Sequence, residues 1–150
     1  MGSIRRLDTL KNWSKLTDYQ NKTIKINRDE VAKKSELNLI LANSSIKNWH
    51  LKYDEGLKQY TPENCARAHK IVTQLIENLE GNQNYSEHQK IELIRAGVIQ
   101  FNDLNASLDY CFIETGEREE LCELFDNIAD AVGIDNQNFE DGIASEWRDW

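Results

Sequence analysis

Apolar residues in this chain recur mostly at three- and four-residue spacings, a pattern that predicts helices almost throughout. Ile4, Leu7, Leu10, Trp13, Leu16 and Tyr19 alternate with charged residues and predict an amphipathic helix over residues 3–19, whose apolar stripe must dock on something. Residues 21–27 depart from the pattern, and Thr23-Ile24-Lys25-Ile26 reads as a short extended link. A second helix is expected from Asp29, carrying Val31 and Ala32. A third is expected over Ser44 to Tyr60 through Ile46, Trp49, Tyr53 and Leu57.

The only proline marks a boundary. Thr61-Pro62-Glu63-Asn64 reads as an N-cap followed by proline at the first helical position, where its missing N–H costs nothing. Ala68, Ile71, Val72, Leu75, Ile76 and Leu79 then share one face, which stops before Gly81 as the residue just past the helix end. Ser86-Glu87-His88-Gln89 has the spacing of a capping box and opens a long helix through Ile91, Ile94, Val98, Phe101, Leu104 and Leu108, with Gly97 or Asn102–Asn105 as places to bend. Thr115-Gly116 reads as a turn before a helix over Glu117–Val132, buried through Leu121, Leu124, Phe125 and Ile128 and ended by Gly133. The polar tract 135–142 reads as a loop, and Ile143 to Trp150 as a last short helix. Strand-length alternation and internal repeats are absent from the pattern. The expected fold class is all-α, a small helical bundle with an N-terminal helical segment.

Charge divides the same map. Residues 1–60 hold 12 Lys/Arg against 7 Asp/Glu, net +5, while residues 61–150 hold 6 against 19, net −13. The expected organisation is therefore a basic N-terminal helical segment, 1–60, and an acidic helical bundle, 61–150, able to form one compact domain together. An acidic region of this strength steers cationic protein surfaces toward itself and repels nucleic acid phosphates. At 150 residues and 39% hydrophobic, the chain can bury one ordinary core. Its longest apolar stretch falls far short of the ~20 residues of a membrane span, and no apolar leader follows Arg5-Arg6. A soluble, cytoplasmic protein is expected, with no membrane role. Cys65, Cys111 and Cys122 suit a reducing compartment and read as small buried hydrophobes.

The candidate chemistry is sparse. Cys65 and His69 stand one helical turn apart, half of a metal site, but no second pair accompanies them, and His50 and His88 lie elsewhere in the pattern. Asp135 to Glu146 has acids at the ends of a calcium-loop spacing, yet Gln137 and Phe139 stand where oxygen ligands belong and Glu140 holds the glycine position. No cofactor, metal or catalytic set is expected. Glu119, Glu123, Asp126 and Asp130 recur at offsets of four, three and four, a carboxylate stripe without a basic residue and the candidate partner-binding surface. Trp147 and Trp150 near the terminus need a pocket, either in the protein's own core or on a partner. Ile143 shares a face with Trp147, so Trp147 is expected to be the core anchor and Trp150 the milder residue.

Two stretches carry resemblances. Residues 26–37 followed by Asn43-Ser44-Ser45-Ile46-Lys47-Asn48-Trp49 resemble the opening and the recognition-helix entry of a helix-turn-helix, as in small DNA-binding proteins of mobile elements. That resemblance implies phosphate contacts from Arg28, Lys33, Lys34, Lys47 and Lys52. Glu36 stands in place of the usual turn glycine, and Asn38–Ala42 lengthens the connection. Gly116–Ile134 is similar to the helix that precedes the DNA-binding part of addiction-module antidote proteins. The reading that follows is a non-enzymatic interaction protein of the immunity, antitoxin or anti-defence kind, whose acidic surface covers a basic protein partner. Its rival is a helix-turn-helix regulator placing residues 26–57 on DNA, and a small enzyme stands third.

Overall fold

The computed structural model describes the backbone of residues 4–150, and the side chains from residue 15 onward except those of 26, 30 and 33–35. Among the described residues all regular structure is helical. The elements are α1 (Ile4–Asn43), α2 (Leu51–Asp54), α3 (Pro62–Glu80), α4 (Glu87–Ser107) and α5 (Thr115–Ala131), with 3-10 turns at Ser45–Asn48, Asn136–Asn138 and Ile143–Glu146. None of these helices is long and apolar enough to cross a membrane.

The chain forms two compact units, residues 1–34 and residues 35–150. In the first, the helix runs straight through the expected break at 21–27. No glycine or proline occurs between residues 3 and 43, so nothing ends it, and the Thr23 hydroxyl bonds back to the Tyr19 carbonyl at 2.9 Å within the helical turn. Of the expected apolar stripe, Ile4, Leu7, Leu10 and Trp13 have side chains outside the described residues. On a helix of 3.6 residues per turn a strict three-residue repeat slips by about 60° at each step and traces a spiral. Leu16 and Tyr19, at its described end, are both exposed, as are Ile24 and Val31.

The second unit holds the core. Leu37, from the last turns of α1, is buried there, and the chain then leaves the helix at Ser44 in extended conformation. The single helix expected over Ser44–Tyr60 is replaced by a 3-10 turn, the four-residue α2 and a turn at Gly56, whose φ of 98° favours glycine. Ile46 and Trp49 do point inward as the spacing required. Trp49, Tyr60 and Phe112, all essentially inaccessible, pack with ring centroids 5.4–6.4 Å apart, edge-on or tilted, the arrangement that aromatic quadrupoles favour.

From Thr61 onward the local signals hold. Thr61 Oγ1 accepts the Asn64 N–H at 3.1 Å, and Pro62 begins α3, whose face from Ala68 to Leu79 is buried. Gly81 follows the last helical residue, as expected, with an ordinary right-handed φ of −68°. Ser86 and Gln89 exchange both capping-box bonds, at 3.2 and 2.9 Å. Gly97 is no hinge: α4 continues through it, and a Cβ there would stand 3.2 Å from Leu75 Cδ2 and 3.4 Å from the Phe125 ring. The missing side chain lets α4 approach α3 and α5 closely. Phe101 and Phe125 meet edge-to-face beside it, centroids 5.9 Å apart. Asn105, buried, accepts the Phe112 and Ile113 N–H groups on one oxygen and so fixes the connection to α5. Residues 143–150 form a 3-10 turn and an irregular end instead of a short helix. Gly133, at φ 82°, ends α5 as expected.

Candidate functional site on helix α5

Thr115 and Gly116, expected as a turn, form the first turn of α5, which begins two residues before its expected start. Glu117, four and seven residues before Leu121 and Leu124, lies on the buried face of this helix. Glu117 is 2% exposed and pairs with Lys52, while its Oε2 accepts the Glu114 N–H at 3.2 Å. A carboxylate so enclosed is tolerable only with a counter-charge and hydrogen bonds, and Lys52 and the Glu114 amide supply them. One turn along, Glu120 Oε2 accepts the Trp49 indole N–H at 2.6 Å. Two acids of α5 thus hold residues 49–52 against the bundle. Spacing gave no sign of either bond, because each partner lies more than sixty residues away in sequence.

The four stripe residues divide. Glu119 and Glu123 are exposed. Asp126 is half-buried, and its Oδ1 accepts the Ile143 N–H at 2.9 Å. Asp130 is exposed and accepts from the Asn136 side-chain amide at 2.7 Å; the same amide donates to the Asp126 carbonyl at 2.9 Å. The lower half of the stripe therefore ties down the segment from 136 to 143. Those bonds offset the unfavourable position of acids near the helix C-terminus.

Both terminal tryptophans lie against the protein's own core. Trp150 is buried at 8% exposure and Trp147 only half-buried, the reverse of the ranking expected from Ile143. Asn102 clasps the tail from both sides, donating to the Trp147 carbonyl at 2.9 Å and accepting the Asp149 N–H at 3.2 Å. The Arg148 guanidinium stands 5.8 Å from the Trp150 ring centre.

The five cations of the helix-turn-helix resemblance are split between the two units. Arg28 is exposed in the first, and the side chains of Lys33 and Lys34 lie outside the described residues. Lys47 is exposed and donates to the Ala42 carbonyl, and Lys52 is paired with Glu117. Cys65, which is buried, and the exposed His69 line a surface groove with His50, Lys47 and Thr73, and His69 Nδ1 lies 3.3 Å from the Thr73 hydroxyl. Among the described residues no three metal-ligating side chains come together. All three cysteines are free thiols. Cys111 is exposed and Cys122 half-buried, contrary to the expectation that all three would be buried. Burial pushes the Cys65 thiol above its ordinary value, against the pull of Lys52, and burial does the same to Cys122. The Tyr60 hydroxyl, buried without a partner among the described residues, is raised well above its ordinary value by burial first and by Glu114 next.

A cleft of about 330 Å³ opens beside α5, lined by the end of α1, the 3-10 turn after it and α5 itself. Leu121, Leu124, Ile46 and Trp49 form its floor, and Glu36, Glu120 and Glu123 are the charged residues of its lining. Sequence spacing did not reveal it, since its two walls come from distant parts of the chain.

No curated protein and no solved structure matches this chain. One family model does, over residues 52–150, which takes in α3 to α5 and α2 except its first residue, both tryptophans of the tail and all the carboxylates of α5. With well over half of its length matched, the chain belongs to DUF5713, a family of unknown function.

Proposed function

We propose that this is a non-enzymatic interaction protein whose acidic helical surface binds, and thereby inhibits or regulates, a basic protein partner, as immunity, antitoxin and anti-defence proteins do. One observation carries the reading: the charge separates along the division between the two units. Residues 1–34 hold 9 Lys/Arg against 4 Asp/Glu, net +5, and residues 35–150 hold 9 against 22, net −13. Such a field raises the encounter rate with a cationic surface and falls off with salt. Glu119 and Glu123 are exposed on α5, Glu123 in the lining of the cleft, and are the stripe carboxylates best placed to meet a partner.

The test is affinity capture from the native source with identification of the bound protein, followed by association kinetics at low and high salt. Glu119→Gln with Glu123→Gln should slow association at low salt and leave the unfolding midpoint equal or slightly higher, because like charges at this spacing cost a helix roughly 0.2–0.5 kcal/mol per pair. A captured partner that is acidic, or association indifferent to salt and to these changes, removes the proposal.

A second reading is favoured by the +5 of residues 1–34, where Lys15, Lys22, Lys25 and Arg28 are exposed on an uninterrupted helix. It is contact with nucleic acid phosphates by a regulator of a mobile element. Residues 44–57 offer that reading only the four-residue α2 as an α-helix. A gel-shift titration decides it, since the electrostatic part of duplex binding is strongest at low salt.

A further inference from the structure

We propose that the cleft beside α5 is the seat for one arginine side chain of the partner, presented next to an apolar residue. This rests on the reading of the protein as a binder of basic partners and specifies where and how it grips. The cleft joins two features that an arginine requires together. Its floor of Leu121, Leu124 and Ile46 can take the aliphatic stem, and the carboxylates of Glu36, Glu120 and Glu123 can take the guanidinium, with no lysine or arginine among the lining residues to compete.

Size agrees, since about 330 Å³ lies at the small end of ligand sites and holds one long side chain rather than a peptide segment. The acceptor is also held in place beforehand. Glu120 is fixed by the 2.6 Å bond from the Trp49 indole to its Oε2, so its second oxygen is presented with little rotamer freedom left to lose. A planar guanidinium can give two parallel N–H bonds to one carboxylate and still donate to the second oxygen of Glu120, a parallel pairing that an ammonium cannot make. Leu39, also in the lining, is 58% exposed, and an apolar residue beside the arginine would cover it. The walls have different origins: Glu36 to Trp49 precede the family match, and Glu120 to Asn127 lie within it.

The experiment uses the full-length isotope-labelled protein at low salt and titrates three capped tripeptides, Leu-Arg-Leu, Leu-Lys-Leu and Leu-citrulline-Leu. The Trp49 indole N–H resonance, whose acceptor is Glu120, is the reporter. The arginine peptide is expected to shift that resonance and the Asn127 amide, with the lysine peptide weaker and the citrulline peptide at least about tenfold weaker. Glu36→Gln with Glu123→Gln should weaken the arginine peptide about tenfold, and Glu77→Gln, at an exposed carboxylate of α3 outside the lining, should leave it unchanged. Unchanged indole resonances in the variants before titration show that the fold is intact. Equal binding of the citrulline peptide, shifts spread over the outer face of α5 and abolished equally by Glu119→Gln, or no shift with any peptide overturns the seat. Concentration-dependent shifts without peptide also overturn it, by making a second copy the occupant. If a basic partner is captured and its binding ignores Glu36→Gln with Glu123→Gln, the cleft is wrong and the broader reading stands.

Discussion

Helix α5 carries two populations of carboxylate, and they differ in what they hold. Glu117, Glu120 and Asp126 bond to parts of the chain outside α5, namely Lys52, Trp49 and Ile143, and act as clasps around the bundle. Glu119 and Glu123, on the same helix and separated from the clasps by one to three residues, stand in solvent. Both sets are carboxylates, so the acids of one helix are two things at once. Their inward members specify the fold, and their outward members are free to present charge.

Cutting a clasp should show the difference most sharply. Lys52→Met leaves Glu117 buried without its counter-charge, and an unpaired buried ion of that kind costs roughly 3–5 kcal/mol. Combining it with Glu117→Leu should restore much of the loss, as measured by urea unfolding of the four members of the cycle. If Lys52→Met unfolds at the wild-type midpoint, Glu117 is not a clasp.

The tail gives the next largest effect. Trp150→Ala should destabilise by roughly 3–4 kcal/mol and Trp147→Ala by clearly less, following their burial. Equal melting temperatures for the two variants would mean that Asn102, rather than the indole of Trp150, pins the end of the chain.

Gly142→Ala probes the Asp126 clasp from the other side. Its φ of 83° disfavours any side chain, and a Cβ would lie 2.7 Å from Asp126 Oδ2. A loss of about 1–3 kcal/mol is expected, with the Ile143 amide gaining hydrogen-exchange rate. Unaltered protection of that amide would place the strain elsewhere.

The smallest effect is alkaline. The folded protein favours the neutral forms of Cys65, Cys122 and Tyr60, whose values all lie above the ordinary 9.0 and 10.0. Their contribution is complete below those ordinary values. It falls as pH rises past 9.0, because the unfolded chain releases protons that the folded chain keeps. Urea midpoints should decline from about pH 9 upward, and Tyr60→Phe, which removes a buried hydroxyl without a partner, should flatten the decline above pH 10. An unchanged slope in that variant would place the alkaline loss on other groups.

From Thr61 onward much of this molecule was legible in its sequence, because the signals there are local. A cap, a proline at the first helical position, a capping box and a four-three spacing each act within one or two turns of the chain. The first sixty residues misled for the same reason. A three-residue repeat looks like a stripe when written in a line and is a spiral on a helix, and β-branched residues at 23–26 suggest a strand only if a breaker lets the helix stop. Gly97 read as flexibility because nothing in its neighbourhood announces Leu75 and Phe125, which approach from two other helices. The Glu117 and Glu120 clasps and the cleft were illegible in principle, since each unites residues 49–52 or 36–49 with α5 across sixty or more positions and spacing carries no information about such pairs. Trp150 outranks Trp147 in burial because the chain beyond Glu146 is not helical, so helical face-sharing with Ile143 does not apply.

The aromatic packing around Trp49 bears on how this family is cut for laboratory work. The family match begins at residue 52, three positions beyond a tryptophan that is 1% exposed against Tyr60 and Phe112. A recombinant fragment starting at that border would leave behind the side chains of Leu37, Ile46 and Trp49, and would carry an open apolar socket with Glu120 orphaned at its lip. Sticky, poorly soluble preparations are the foreseeable result, and an insoluble fragment would say nothing about the protein itself. Expression designs for relatives should begin upstream, at the residue corresponding to Ser35, so that the socket arrives already plugged.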